Sequence, residues 1–283
     1  LINLSASPFS LNKESVRQKL AAKAVERLGC PVIYLNQVGG NDELVFDGAS
    51  FVLDCDSELA LTLPKYSEAI AIWDSTINYT PTKAKFYAPE EQLFKALVLG
   101  VRDYAIKCGF DSALIGLSGG IDSALVATIA SAALGAARVT SVLMPSPWSS
   151  SSSIEDAQSL ANRLGMNSYN IPIKTLMKSY DTALEAPLGK LPEGVTAENL
   201  QSRIRGTLLM ALANQQDHLL LSTGNKSELA VGYCTLYGDM NGGLSVIGDL
   251  YKTCVFDLCK WLDSECAYKT RESFGLPNYG EII

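Results

Sequence analysis

The chain predicts an α/β molecule: a doubly wound parallel sheet over residues 90–283, preceded by a smaller segment of strands and one helix over 1–75. Three observations carry that expectation. From Pro89 onward, short apolar runs alternate with segments at helical spacing, the rhythm of a parallel sheet covered on both faces. Twice, at 112–123 and 218–228, an apolar run meets a glycine-containing turn that opens a helix. The 283 residues are 47% hydrophobic and 19% charged, ordinary globular material for one large or two ordinary domains.

Leu1 opens directly into Ile2-Asn3-Leu4-Ser5-Ala6-Ser7-Pro8, which reads as a strand entered from upstream, so the chain reads as a fragment. Residues 13–28 form a helix with Val16, Leu20, Ala24 and Leu28 as its apolar face. Residues 31–35 are a buried-strand run, and Gly39-Gly40-Asn41-Asp42 is a strong turn. Residues 44–48 and 50–54 read as a hairpin around Gly48, and 68–74 as a last strand. The stretch 76–89, rich in proline and poor in large apolar side chains, reads as a linker.

Beyond it, a helix is expected over 90–107, the first strand over 112–117 and a helix over 121–135. A second strand follows at 138–144, then a flexible five-serine loop at 149–153 and a helix over 154–164. A third strand spans 167–173, a helix 197–214 and a fourth strand 218–222, with helices at 225–231 and 252–262. In such sheets ligands bind beyond the carboxyl ends of the strands, which is where both glycine turns fall.

Bulk properties exclude several classes. A net charge of −7 argues against a broad nucleic-acid surface. The seven cysteines are scattered with no C-x-x-C pair, which suits reduced thiols in a cytoplasmic protein and neither a disulfide framework nor a zinc site. No apolar stretch reaches membrane-spanning length. The single histidine, His218, stands at a strand start where a structural role is expected, which removes histidine triads and clusters.

The chemistry concentrates in Ser118-Gly119-Gly120-Ile121-Asp122-Ser123. Two glycines let backbone approach an anion, and the helix beyond directs free N–H groups and its positive dipole end at it. The serines add donors, and Asp122 is placed to hold Mg²⁺. A pyrophosphate site is the expectation, and it is not a Walker loop, because the G-x-x-x-x-G-K lysine is absent. Thr223-Gly224-Asn225-Lys226-Ser227-Glu228 repeats the strand-turn-helix pattern, so Asp122 and Glu228 are expected to share one Mg²⁺. Taken alone, Lys226 and Glu228 also fit a solvated helix start capped by Asn225 or Thr223. Asn199 and Arg203 share a helical face, while Arg205 lies on another; phosphate or carboxylate binding and a surface ion pair both suit an arginine there. The tyrosines of 233–239 fit ring stacking or core packing, and Lys252 fits a bound phosphate or simple exposure.

The turn Ser118–Ser123 resembles the signature of the N-type ATP pyrophosphatases, which split ATP into AMP and pyrophosphate. With Glu198-Asn199-Leu200-Gln201-Ser202-Arg203-Ile204-Arg205-Gly206, the 222–239 stretch and Gly248-Asp249-Leu250-Tyr251-Lys252-Thr253 in the same order, the chain is similar to the NAD synthetases. The segments 3–8 and 36–48 resemble the nitrilase-like αββα glutaminase domain fused to the glutamine-dependent form. The resemblance covers about 1–265. It implies an adenine-nucleotide α-hydrolase-like sheet, ATP as substrate, Mg²⁺, and amidation of deamido-NAD with nitrogen from glutamine or ammonia, in a cytoplasmic homo-oligomer. By motif match Gly116, Leu117, Ser118, Gly119, Gly120, Ile121, Asp122, Ser123, Thr223 and Lys252 bind ATP. Asn199, Arg203, Glu228, Tyr233, Cys234, Thr235 and Leu236 line the deamido-NAD pocket; Ser7 and Lys13 bind glutamine; Asp122 and Glu228 hold the metal.

The resemblance also marks two departures. The family's glutaminase cysteine and its glutamate and lysine partners lie upstream of the 3–8 strand, and Cys30 and Cys55 do not match that cysteine. Residues 266–283 do not read as the family's lid segment. Two further readings follow: another N-type pyrophosphatase acting on a different carboxylate, and an ATP-binding chain without turnover. A tRNA-thiolating enzyme needs paired cysteines and a basic face, and neither is present.

Overall fold

In a computed structural model describing residues 1–77, 79 and 87–283, the chain forms two units, Leu1–Tyr104 and Ala105–Ile283. Residues 78 and 80–86, within the expected 76–89 linker, lie outside the described residues.

The first unit holds β1 (Ile2–Ser5), α1 (Lys13–Leu28), β2 (Val32–Asn36), β3 (Val38–Asn41), β4 (Leu44–Asp47), β5 (Phe51–Leu53) and β6 (Leu59–Thr62). A mixed sheet runs β1-β2-β5-β6, while β3 and β4 form a separate antiparallel pair. The expected turn at 39–42 is therefore mostly strand, and the expected hairpin around Gly48 is two strands of different sheets. The last strand is Leu59–Thr62, not 68–74, where Ile70 and Ile72 stand exposed.

Helix α1 has the expected limits and a different buried face. Arg17, Ala21 and Val25 point inward, while Val16, Leu20 and Leu28 are exposed. Ala21 and Val25 pack on Val32, Tyr34, Phe51 and Leu53. Arg17 can join them because its charge is met inside: Nη1 donates to Asp47 Oδ1 at 2.8 Å and Nη2 to Ser7 O at 2.8 Å. Apolar periodicity misses a face that includes a paired guanidinium.

Helix α2 (Pro89–Cys108) starts with proline at its first position and two glutamates in the first turn, both favourable there. The second unit follows as β7 (Ala113–Gly116), α3 (Ile121–Leu134), β8 (Val139–Leu143), α4 (Ser151–Leu164), β9 (Asn167–Asn170), α5 (Lys174–Leu188), α6 (Val195–Gln216), β10 (Leu219–Ser222), α7 (Lys226–Val231), β11 (Leu244–Ser245), α8 (Lys252–Asp263) and α9 (Tyr268–Ser273). The sheet is parallel throughout, in the order β11-β10-β7-β8-β9, as the doubly wound expectation requires.

β7 is central, and Ala113, Leu114 and Ile115 are fully buried, the continuous apolar run of a strand covered on both faces. On one face α3 packs between α4 and α8, and its residues 123–131 are all buried, as suits an Ala-rich helix without a polar side. On the other, Ile204 and Ala213 of α6 and Met177 of α5 close over Leu114, Val142 and Leu220. Helix α5 and strand β11 are additions to the sequence expectation. The serines at 149–153 are not a flexible loop: α4 begins at Ser151, and Ser150 Oγ caps it by accepting the Ser153 N–H at 3.1 Å. From α9, the buried Arg271 donates to the carbonyls of Leu262, Pro277, Tyr279 and Gly280 and so anchors the 276–283 segment.

Chain order turns back between β7 and β10: β8 and β9 lie to one side of β7, β10 and β11 to the other. That reversal leaves a crevice at the carboxyl ends of β7 and β10, the position where open α/β sheets take ligands.

Candidate functional site

The turn after β7 sits at this crevice. Gly116 ends the strand, and the buried Leu117 donates its N–H to Val142 O at 3.0 Å. Gly119 has φ 81°, and a Cβ there would lie 2.2 Å from the Ser153 carbonyl oxygen at the start of α4. No other residue fits without moving backbone. Gly120 is the extended N-cap of α3, so Ile121, Asp122 and Ser123 form the first turn, whose N–H groups have no intrahelical acceptor. The serines hold the turn's shape: Ser118 Oγ accepts from Gly120 N at 3.2 Å and lies 3.0 Å from Ser123 Oγ, which donates to Gly120 O at 2.9 Å.

Asp122 leaves this first turn toward the loop after β10. Its Oδ1 accepts from Asn225 Nδ2 at 3.2 Å, and its Oδ2 pairs with the Lys252 ammonium. Lys252 opens α8, with its N–H on Ser227 Oγ at 3.0 Å and its Nζ over the Phe256 ring. Asn225 is fully buried and caps α7 in a capping box with Glu228: Glu228 N donates to Asn225 Oδ1 and Asn225 N to Glu228 Oε2, each at 3.1 Å. Thr223 stands half-buried two residues before that cap. The sequence-predicted nucleotide residues thus converge from β7, β10 and the start of α8.

Among the described residues no three His, Cys, Asp or Glu side chains gather as a metal-binding group. Asp122 and Glu228 are joined through Asn225, a residue that local sequence reading treated only as a cap.

The other predicted set lies along α6. Asn199 Oδ1 accepts from Thr235 Oγ1 at 2.9 Å, and Arg203 Nε donates to Leu236 O at 3.1 Å. Tyr233 N donates to Glu228 O at 2.9 Å, so this segment continues directly from α7. Tyr233, Leu236 and Tyr237 are 76%, 60% and 73% exposed, and Cys234 is exposed too, which removes core packing as the reason for the aromatics. Two glycines let the segment approach α6: a Cβ on Gly206 would lie 2.8 Å from Gly238 O, and one on Gly238 would lie 2.3 Å from Ser202 Oγ. Asp239 completes the contact, with Oδ1 accepting from Thr235 N at 2.8 Å and Oδ2 from Ser202 Oγ at 3.2 Å. Sequence reading took Gly238 and Asp239 only as the end of the aromatic segment and gave Ser202 and Gly206 no role of their own.

Arg205, on the other face of α6, donates from Nε to Met144 O at 3.1 Å, and burial lowers its pKa. His218 bonds through Nδ1 to Ser112 Oγ at the starts of β10 and β7, the end of the sheet away from the crevice, as its structural reading expects. A cleft of about 510 Å³ opens beside Gly119 and Gly120, between Asp156 and Arg163 of α4 and Phe256 and Cys259 of α8. Burial pushes the Cys259 thiol up to about 12, the Asp263 and Asp122 charges adding to the effect.

In the first unit, Ser7 N donates to Asn36 Oδ1 at 2.8 Å and Ser7 Oγ accepts from Arg17 Nε at 3.2 Å, while Lys13 is the half-buried first residue of α1. A hollow of about 690 Å³ in this unit is lined by Asn36, Ser50 and Glu68, and neither Ser7 nor Lys13 lines it.

Comparison with known proteins identifies the family and the fold. The family model described as NAD synthase matches residues 93–270. A glutamine-dependent NAD(+) synthetase of Synechocystis sp. is 53% identical over 270 residues, which is 94% of this chain and 48% of that protein. One from Rhodobacter capsulatus is 46% identical, covering 91% of this chain and 48% of its own. The chain therefore spans about half the length of the curated relatives it matches. The structure of glutamine-dependent NAD+ synthetase from Acinetobacter baumannii in complex with ADP is similar at TM-score 0.87 and 42% identity, over 93% of this chain and 51% of that one. The NH3-dependent NAD synthetase from Campylobacter jejuni is similar at TM-score 0.58 and 31% identity, over 65% of this chain and 78% of that one.

Proposed function

This chain belongs to the NAD synthase family, and from that premise we propose that its Ala105–Ile283 unit catalyses the ATP-dependent amidation of deamido-NAD to NAD. The observation that carries the reading is the meeting of the β7 turn, Asp122 and Lys252 at the reversal of strand order, with the α6 face of Asn199 and Arg203 continuing from it through α7. The relative solved with ADP supports an adenine nucleotide as ligand.

In this reading the Gly119–Ser123 amides and the positive end of α3 receive the pyrophosphate portion of ATP. Lys252 lies within reach to counter the charge that grows on it, and Thr223 adds a hydroxyl donor. Asn199, Arg203 and the exposed 233–236 segment bind deamido-NAD, the Tyr233 ring offering a stacking face. A carboxylate oxygen of deamido-NAD attacks the α-phosphorus, and the bond to pyrophosphate breaks. Ammonia then attacks the activated carbonyl carbon, the bond to AMP breaks, and the nitrogen sheds a proton. Neither step asks the chain for a covalent nucleophile; positioning and charge complementarity carry the rate.

Mg²⁺ is the cation this reading implies. Asp122 and Glu228 suit it as hard oxygen donors, since Mg²⁺ commonly takes one or two carboxylates together with substrate phosphates. The fit rests on Asp122, whose Oδ2 already draws a cation, the Lys252 ammonium. Bound there, the ion would supply charge neutralisation on the phosphates.

Glutamine is the proposed nitrogen source, with Ser7 and Lys13 contributing to its site; the Arg17 and Asn36 bonds to Ser7 support a preset geometry. The seven unpaired cysteines suit a reducing, cytoplasmic setting. A homo-oligomer is supported by the exposed Leu188, Leu191 and Val195; light scattering that finds a monomer at every concentration contradicts it.

The test is AMP release by the chain supplied with ATP, Mg²⁺ and ammonia. The reading expects AMP only when deamido-NAD is present, and none from a folded Asp122→Asn variant. AMP formed with a different carboxylate in its place, or unchanged turnover in that variant, overturns it; bound ATP without AMP favours a chain that binds without turnover.

A further inference from the structure

Asn225 is a fully buried amide whose polar groups are all engaged. Its Oδ1 accepts the Glu228 N–H at 3.1 Å, its main-chain N–H donates to Glu228 Oε2 at 3.1 Å, and its carbonyl accepts the Leu229 N–H at 3.1 Å. These bonds form a capping box, in which the main-chain N–H also fixes the Glu228 carboxylate. The remaining one is different: Nδ2 crosses to another turn, 103 residues away in sequence, and donates to Asp122 Oδ1 at 3.2 Å. One residue therefore touches both carboxylates of the proposed metal pair, Asp122 through its side-chain amide and Glu228 through its main-chain N–H.

We infer that Asn225 is a positioning residue that fixes Asp122 and Glu228 as one cation-facing pair. The inference rests on the proposed function, because it takes those two carboxylates as the metal ligands. A neutral amide suits the task for a physical reason. It orients Asp122 through Oδ1 without cancelling its charge, and leaves Oδ2, the oxygen that Lys252 meets, to face a cation. A cationic partner at Oδ1 would compete with the metal, and an acidic one would repel Asp122. Burial adds rigidity, since no water replaces a lost bond and the orphaned group bears the cost. Groups that orient metal ligands from behind typically change metal affinity about 10- to 100-fold when removed.

Capping and positioning are separable by substitution. Asn225→Ser keeps a cap-competent hydroxyl but is too short to reach Asp122. Asn225→Asp also caps well, and presents an acceptor to Asp122 Oδ1 where a donor is needed. The measurement is Mn²⁺ binding to the 283-residue chain with saturating ATP, followed by electron paramagnetic resonance, beside ATP binding in EDTA and a thermal melt. The inference expects both variants to melt within a few degrees of the unmodified chain, to bind metal-free ATP equally well, and to bind Mn²⁺ about tenfold or more weakly. Mn²⁺ affinity within twofold of the unmodified chain in either folded variant overturns it. So does an equal loss of metal-free ATP binding, which marks a general distortion. Asp122→Asn, measured in parallel, separates the two levels: weakened there but not in the Asn225 variants, only the positioning role fails; unchanged in all three, the metal assignment itself fails.

Discussion

Gly119 shows how much one residue decides. Its φ of 81° is a conformation that side chains disfavour, and the Ser153 carbonyl would stand 2.2 Å from any Cβ. Gly119→Ala should cost about 1–3 kcal/mol in urea unfolding and weaken ATP binding, because the turn and the start of α4 must separate; a variant as stable as the parent and binding ATP normally contradicts the packing account. The six residues Ser118–Ser123 were legible in sequence because everything they need is local: a strand before, a helix after, and small residues between. Asn225 was not. Its capping partner is three residues away, but its role depends on Asp122, 103 residues distant, and no spacing rule reports that pair. The contacts of Ser202, Gly206, Gly238 and Asp239 escaped for the same reason, since they are made between α6 and a segment some thirty residues later in the chain.

Among the elements, limits were easier to read than faces. Helix α1 begins and ends where expected, yet its inward stripe contains Arg17, an identity that apolar periodicity discards. The stripe is stable because Asp47 lies 2.8 Å from Nη1 in surroundings that exclude water. Arg17→Met should therefore destabilise the first unit by about 3–5 kcal/mol, because it leaves the Asp47 charge buried without its partner. Denaturant melts of this variant and of Arg17→Met/Asp47→Leu check it; the double substitution should recover much of the loss, and a single variant with parental stability contradicts the claim. Helix α4 starts three residues earlier than composition suggested, since Ser150 works as a cap where a serine run reads as flexible. Helix α5 went unread although Met177, Tyr180, Leu184 and Leu188 recur at helical spacing; in the fold Met177 is its one buried position.

For the whole molecule, alternation of strand and helix was enough to anticipate a parallel sheet with its ligand crevice at the carboxyl ends. It did not reveal β11, two residues long and held beside β10, because so short a pairing has no periodicity of its own. What the topology adds to the motifs is convergence: the turns after β7 and β10 are far apart in the chain and adjacent in the sheet, so Asp122, Asn225 and Lys252 meet. The central claim is that this meeting point receives the phosphates of ATP. A crystal structure of the chain with Mg²⁺ and a non-hydrolysable ATP analogue tests it most directly. The account predicts phosphate oxygens on the amides of the Gly119–Ser123 turn, with Lys252 moved from Asp122 onto phosphate. Nucleotide bound elsewhere, with that turn bare and the Lys252–Asp122 pair intact, would contradict it.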